Sequence, residues 1–238
     1  FIETDTSVAQ GHFNVDKRPI SRPYDEHGKR DAGMGTLPHQ NFVDLSDGKT
    51  GLAVLNKNLI EYEVSENKSR TIFLTLLRSV PVKICTEHRC ATQDPTELGS
   101  QCLGKHVFEY ALYPHLGDWK QANLYNITES YIFEHRLYQI SKNDKGTEPL
   151  EQSLFSLSPD SLQISALKKA QDINGVIVRV YNPQSELKEA RIKFVKKPLE
   201  VFLVNLNEDI QKQLDISSDG AILFEIGTCE IVTLLCNF

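Results

Sequence analysis

Residues 104–119, GKHVFEYALYPHLGDW, carry the clearest combination of strand and loop signals in the chain. Phe108, Tyr110 and Leu112 recur at the period of two that a half-buried strand shows, so we expect them on one face. Pro114 cannot donate to a strand ladder and is predicted to end the strand. The polar and aromatic residues that follow it would then lie in a short loop, where a sugar ring could contact them.

Segments on both sides of this stretch repeat the strand pattern. From Pro38 onward, short apolar runs closed by turn residues recur about every eight to twelve residues, which predicts an antiparallel β-sandwich. The clearest run covers residues 70–79, and the Asn-Gly pair at 174–175 predicts a hairpin. Residues 121–141 are ambiguous between helix and strand. Residues 207–214 are predicted to form one short helix.

An internal boundary is predicted at residues 142–149, KNDKGTEP, which are charged, contain Gly and Pro, and lack an apolar anchor. We therefore expect an all-β chain in two parts. Residues 1–150 would form most of a large antiparallel sandwich, and residues 151–238 would form a smaller one.

Composition narrows the classes of function. The 238 residues are 40% hydrophobic and 24% charged, with a net charge of -6 that argues against nucleic-acid binding. No apolar run approaches the roughly 18 residues of a membrane span, so no membrane partner is expected. Five cysteines, an odd number, indicate reduced thiols in a cytoplasmic protein. Phe1 is not an initiator, and we expect a fragment of a longer polypeptide.

Catalytic motifs are not found in the sequence. It contains no Gly-x-Ser-x-Gly, no phosphate loop and no His-Glu-x-x-His, and its histidines and cysteines do not fall at metal-ligand spacing. Asp44 and Asp47 are expected to be solvated surface charges, because carboxylates are seldom buried. His115 is expected to be a hydrogen-bonding loop residue. Trp119, the only tryptophan, is either a sugar platform or a partly buried anchor between sheets.

Several stretches together resemble one known family. They are PHQNFVDLSDGKTGLAVLNKNLIEYEV (38–64), RTIFLTLLRSV (70–80), residues 104–119, SPDSLQISALKKAQDINGVIVRVYNP (158–183) and AILFEIGTCEIVTLLCNF (221–238). In this order they resemble the C-terminal β-domains of glycoside hydrolase family 38, the α-mannosidases and mannosylglycerate hydrolases, in their bacterial form.

The resemblance implies a fold and an activity. The first part would be a portion of the family's galactose-mutarotase-like supersandwich, and the second its small C-terminal β-sandwich. The family's catalytic parts, a zinc ion held by His and Asp and an aspartate nucleophile of a retaining mechanism, lie in an N-terminal barrel whose motifs are not found here. The parent would hydrolyse α-mannosides, among them mannosylglycerate or its phosphate. This fragment would hold no cofactor and would not be catalytic alone.

The resemblance also implies partners and site residues. The fragment would pack against the catalytic barrel of its own polypeptide, help to wall the pocket for a mannose-containing substrate, and could join a homo-oligomer. The candidates for the pocket wall are Asn58, Glu61, Tyr62, His39 and Gln40. The alternative is that these side chains make hydrogen bonds within the sheet edge or to the barrel.

Two other functions are kept as alternatives. A stand-alone carbohydrate-binding module would show sugar affinity in the chain itself, through Trp119 or exposed tyrosines. A purely structural or oligomerisation domain would expose a large apolar patch.

Overall fold

A computed structural model describes residues 2–21, 35–85, 90–94, 96, 98–142, 145–147 and 149–238. The predicted all-β class is confirmed, because 42% of the residues that the structure describes are in strands and 6% are in helices. In chain order the strands are β1 (Thr6–Gln10), β2 (Val15–Pro19), β3 (Leu37–Pro38), β4 (Phe42–Ser46), β5 (Thr50–Asn56), β6 (Glu61–Val64), β7 (Ile72–Leu74), β8 (Val82–Cys85), β9 (Cys90–Gln93), β10 (Tyr110–Leu116), β11 (Phe155–Ser158), β12 (Gln163–Lys169), β13 (Val176–Tyr181), β14 (Lys188–Phe194), β15 (Glu200–Val204), β16 (Ile210–Leu214), β17 (Ala221–Ile226) and β18 (Ile231–Asn237). Helix α1 covers Leu124–Ile132.

The chain divides into two compact units. The first contains Phe1–Gly11 and Asp16–Phe133, and the second contains His12–Val15 and Glu134–Phe238. The division into residues 1–150 and 151–238 stays a prediction.

The first unit contains a five-stranded sheet in the order β10-β5-β4-β1-β2 and a three-stranded sheet in the order β3-β6-β7. A core forms where apolar side chains of the two sheets meet, and it includes Ala9, Val43, Val54, Tyr62 and Val64. On the large sheet Val43 lies opposite Val54, and Val54 lies opposite Leu112, so the three side chains share one face.

Strand β10 corrects one expectation and confirms another. Pro114 does not end the strand, which continues to Leu116 with Pro114 opposite Leu52. Because β10 is the edge strand of its sheet, the proline nitrogen faces away from β5 and no ladder bond is lost. Tyr110 and Leu112 share one face, as expected; it is the exposed face, and the alternate residues are the half-buried ones.

Three further segments are now assigned. The ambiguous residues 121–141 contain helix α1, and the predicted strand at 70–79 is reduced to β7. The short helix predicted over residues 207–214 is wrong, because Ile210–Leu214 form β16, which pairs with β15. Its side chains are mostly exposed, so an edge strand with a polar sequence replaces the expected helix.

The second unit is a sandwich of two antiparallel sheets, β11-β14-β17 and β12-β13-β18-β15-β16. Its core takes Ile192 and Ile222 from the first sheet and Val178, Val201 and Leu234 from the second. The predicted Asn-Gly hairpin is confirmed, since β12 and β13 are antiparallel neighbours on either side of that turn.

The core of the second unit generates a stability prediction. Ile192→Ala removes a fully buried side chain between the sheets, and we expect it to lower the free energy of unfolding by about 2–5 kcal/mol. Leu223→Ala is the matched control, because Leu223 lies on the adjacent strand with 60% of its surface exposed, and its effect should stay within about 0.5 kcal/mol. Urea unfolding monitored by circular dichroism measures both. Equal losses would contradict this account of the core.

Candidate functional site

The turn that follows β5 is held by the buried side chain of Asn56. Its Oδ1 accepts a hydrogen bond from the backbone N–H of Leu59 at 2.8 Å. Its Nδ2 therefore faces His39 and donates to Nε2 at 2.7 Å. Asn58 adopts a left-handed conformation with φ 64°, which closes the turn and leaves Ile60 exposed at its tip.

Glu61 is the charged group of this turn. Thr36 donates from Oγ1 to Glu61 Oε1 at 2.8 Å, and the Arg78 guanidinium lies 3.8 Å from the same oxygen. The hydrogen bonds from Thr36 and Thr75 hold the pKa of Glu61 below its ordinary value, and Arg78 adds to this effect. The carboxylate is therefore ionised at neutral pH.

A cavity of about 390 Å³ contains this group, and we call it the Glu61 cavity. Its lining comes from three segments, which are residues 36–38, 58–61 and 75–78. Of the candidates taken from the sequence, Asn58 and Glu61 are brought together in this lining.

The other three pocket candidates lie elsewhere. Tyr62 is fully buried, and its hydroxyl is 3.0 Å from Ser7 Oγ. His39 is also buried and meets the Tyr62 ring edge-on, with 5.3 Å between ring centroids. The backbone N–H of Gln40 donates to the Gln10 carbonyl oxygen at 2.8 Å. None of the three is part of the described lining of the Glu61 cavity.

A second polar centre lies on the five-stranded sheet and was not expected from the sequence. Asp44, predicted to be a solvated charge, is fully buried, and His115 donates from Nε2 to its Oδ1 at 2.9 Å. Burial raises the pKa of Asp44, while the hydrogen bond from His115 opposes this shift. The His115 ring lies across Gly51 on the strand between them. Asp47 is exposed, as expected.

Trp119 follows the end of β10 and is half-buried. Its ring packs against Tyr125 of α1 with 6.3 Å between centroids, and Tyr125 in turn meets Phe42 of β4 edge-on. Trp119 is thus anchored to the sheet through the helix. It also lines a second cavity, so both roles considered for it remain open.

Neither a metal centre nor a membrane span is found in the part of the chain that the structure describes. Across those residues, no three His, Cys, Asp or Glu side chains are placed to hold a metal ion together. Among them also, no helix is long and apolar enough to cross a bilayer.

Comparison of the sequence with known proteins identifies relatives. Residues 161–234 match the family model of the glycosyl hydrolases family 38 C-terminal beta sandwich domain. A putative mannosylglycerate hydrolase of Halalkalibacterium halodurans is 30% identical over 204 residues, which cover 82% of this chain and 20% of the relative. Alpha-mannosidase G of Dictyostelium discoideum is 26% identical over 174 residues, or 71% of this chain and 14% of the relative.

Solved structures share the fold. An alpha-mannosidase of Enterococcus faecalis V583 superposes with a TM-score of 0.76 at 20% identity, covering 99% of this chain and 24% of that one. A solved structure of a glycosyl hydrolase family 38 protein from Enterococcus faecalis gives a TM-score of 0.73 at 19% identity, covering 100% of this chain and 25% of that one. The chain therefore spans about a quarter or less of the length of these relatives. The resemblance to the C-terminal β-domains of family 38 is confirmed.

The contact between His115 and Gly51 generates a prediction. A Cβ atom at Gly51 would lie 2.2 Å from His115 Cε1, so Gly51→Ala must displace the imidazole from Asp44. We expect a loss of about 1–3 kcal/mol in unfolding free energy. Gly99→Ala is the control, because a Cβ there meets nothing within 4 Å. If Gly51→Ala unfolds at the same urea concentration as the wild type, the close approach of His115 to Gly51 does not contribute to stability.

His39 makes stability depend on pH. Burial, followed by the charge of Arg18, lowers the pKa of His39 from 6.5 to about 4. Between those values the unfolded chain binds a proton that the folded chain does not, so stability is lost as pH falls from 6.5 towards 4. The loss should reach about 3 kcal/mol. Urea unfolding at a series of pH values measures it.

The variant His39→Gln isolates this contribution. In this variant the free energy of unfolding should change less steeply with pH between pH 4 and 6.5, by the equivalent of about one bound proton. His106→Gln, at an exposed histidine, is the matched control. An unaltered slope in His39→Gln would show that other groups cause the acid sensitivity.

Proposed function

Since residues 161–234 of this chain belong to the C-terminal β-sandwich domains of glycosyl hydrolases family 38, we propose that the chain is the C-terminal part of a longer, retaining glycoside hydrolase. The parent cleaves α-mannosidic bonds, in mannosylglycerate, its phosphate or another α-mannoside. The mannosylglycerate hydrolase and mannosidase names of the relatives support this substrate class. The chain is not catalytic alone.

The Glu61 cavity is the observation that supports our proposal that this chain forms part of the wall of the sugar pocket. An ionised carboxylate in a cavity is an acceptor for the hydroxyl groups of a sugar, and Thr36 and Arg78 hold it in place. Asn58 adds an amide to the same lining, and the exposed Ile60 offers an apolar contact. The cavity volume lies within the usual range for small-molecule sites, about 300–1,000 Å³.

The open face of β10 supports a bracing role. Leu112 lies on the same face as Val54, yet Val54 is buried and Leu112 is 63% exposed. Tyr110 and Leu116, two and four residues away from Leu112 on the strand, are exposed on that face as well. We propose that the catalytic barrel of the same polypeptide covers these side chains.

Cofactor, location and assembly complete the proposal. The zinc ion that the family resemblance implies is assigned to the catalytic barrel and not to this chain. The protein is proposed to be cytoplasmic and to form a homo-oligomer. It binds neither nucleic acid nor membrane.

Hydrolysis of an aryl α-mannoside tests this function. With zinc supplied, the full-length parent should be active and the 238-residue chain inactive. In the parent, Glu61→Gln should lower kcat/KM by about 10–100-fold, because it removes a charge-assisted hydrogen bond to the substrate.

Glu63→Gln is the matched control in the same strand, since Glu63 is exposed and does not line the cavity. Activity of the 238-residue chain alone would overturn the assignment of catalysis to the barrel. Full activity of Glu61→Gln in the parent would remove Glu61 from the pocket and leave the bracing role.

A further inference from the structure

The Glu61 cavity contains hydrogen-bond donors that no described residue uses. Arg78 is part of its lining, the Arg78 side chain is 65% exposed, and its N–H groups make no hydrogen bond to another described residue. The side-chain amide of Asn58, from a different segment of the lining, is also exposed and makes no hydrogen bond among the described residues. A guanidinium has five N–H donors and an amide has two, so both groups can bind an acceptor that enters the cavity.

The ionisation of Glu61 depends mainly on groups other than Arg78. Hydrogen bonds from Thr36 and Thr75 are the main causes of its lowered pKa, and the charge of Arg78 contributes least. The guanidinium nitrogen lies 3.8 Å from Glu61 Oε1, which is beyond hydrogen-bond distance. An exposed ion pair of this kind contributes little to stability, so Arg78 is able to bind a second anion without releasing the Glu61 carboxylate.

The charges of the lining select the class of ligand. Among the described residues of the lining, Arg78 is the one cation and Glu61 is the one anion. A guanidinium binds a carboxylate or a phosphate through two parallel N–H···O bonds, whereas a carboxylate accepts hydrogen bonds from hydroxyl groups. A ligand that carries both hydroxyl groups and an anionic group would therefore satisfy both residues, and a neutral sugar would satisfy only Glu61.

We propose that Arg78 is a specificity-determining residue that binds an anionic group of the α-mannoside substrate, either a carboxylate on the aglycone or a phosphate on the sugar. Hydroxyl groups of the same substrate donate to Glu61, and the amide of Asn58 adds a neutral donor to the anion. Because it requires the Glu61 cavity to be part of the sugar pocket, this role rests on the proposed function. Arg78 selects the substrate, whereas bond cleavage is assigned to the barrel.

Hydrolysis by the full-length parent tests this role with two pairs of substrates, whose members differ in the anionic group. α-Mannosylglycerate is compared with α-mannosylglycerol, which lacks the carboxylate, and an aryl α-mannoside phosphorylated on the sugar is compared with the same aryl α-mannoside. We expect Arg78→Gln to lower kcat/KM about ten- to a hundredfold for the charged member of at least one pair, and at most about threefold for its neutral member. The pair that responds identifies the anion.

Two further variants separate charge from structure. Arg78→Lys keeps the positive charge and should restore part of the preference for the charged substrate, which a merely structural role of Arg78 would not produce. Lys68→Gln is the matched control, because Lys68 is an exposed cation of the same unit that does not line the cavity. Equal losses for the charged and neutral members of both pairs in Arg78→Gln, or no loss for either, would overturn the specificity role.

The outcomes separate this inference from the proposed function. If the parent hydrolyses the neutral aryl α-mannoside, and Arg78→Gln leaves the ratio of kcat/KM for charged and neutral substrates unchanged in both pairs, the proposed function stands and the role of Arg78 is overturned. If the parent hydrolyses none of the four α-mannosides, both are overturned.

Discussion

The hydrogen bond between His115 and Asp44 crosses three strands of the large sheet, from β10 over β5 to β4. It forms only because Gly51, on the strand between them, has no side chain where the imidazole lies. The bond secures an edge strand to the interior of the sheet. The loop that leaves β10 then has a fixed starting point, and the position of Trp119 and the packing of α1 on β4 follow from it.

Local signals predicted the parts of the fold that local interactions decide. The Asn-Gly turn before β13 and the alternating valines after it describe a hairpin that needs no distant partner for its register. The segment Ile210–Leu214 lacks such a signal, because its sequence IQKQL is polar and favours a helix as much as a strand. Pairing with β15 decides its conformation, and that partner cannot be recognised from the segment itself.

The residues of the candidate site also differ in whether local sequence or a distant segment decides their position. Asn58 and Glu61 are three residues apart and both line the Glu61 cavity, while their role in a sugar pocket stays a prediction. Thr36 and Arg78, which hold the Glu61 carboxylate, come from other segments that only folding brings near. Asp44 was predicted to be solvated because the rule for carboxylates is exposure, while its actual burial depends on His115, which is 71 residues away.

Pro114 in the middle of β10 has a consequence for self-association. An exposed edge strand is normally a template on which another chain extends the sheet, and this edge also carries large apolar side chains. At Pro114 the outward-facing nitrogen has no hydrogen to offer, so an incoming strand would meet a gap in the ladder. The edge is thereby protected from amyloid-like growth, while its apolar face stays available for contact through side chains.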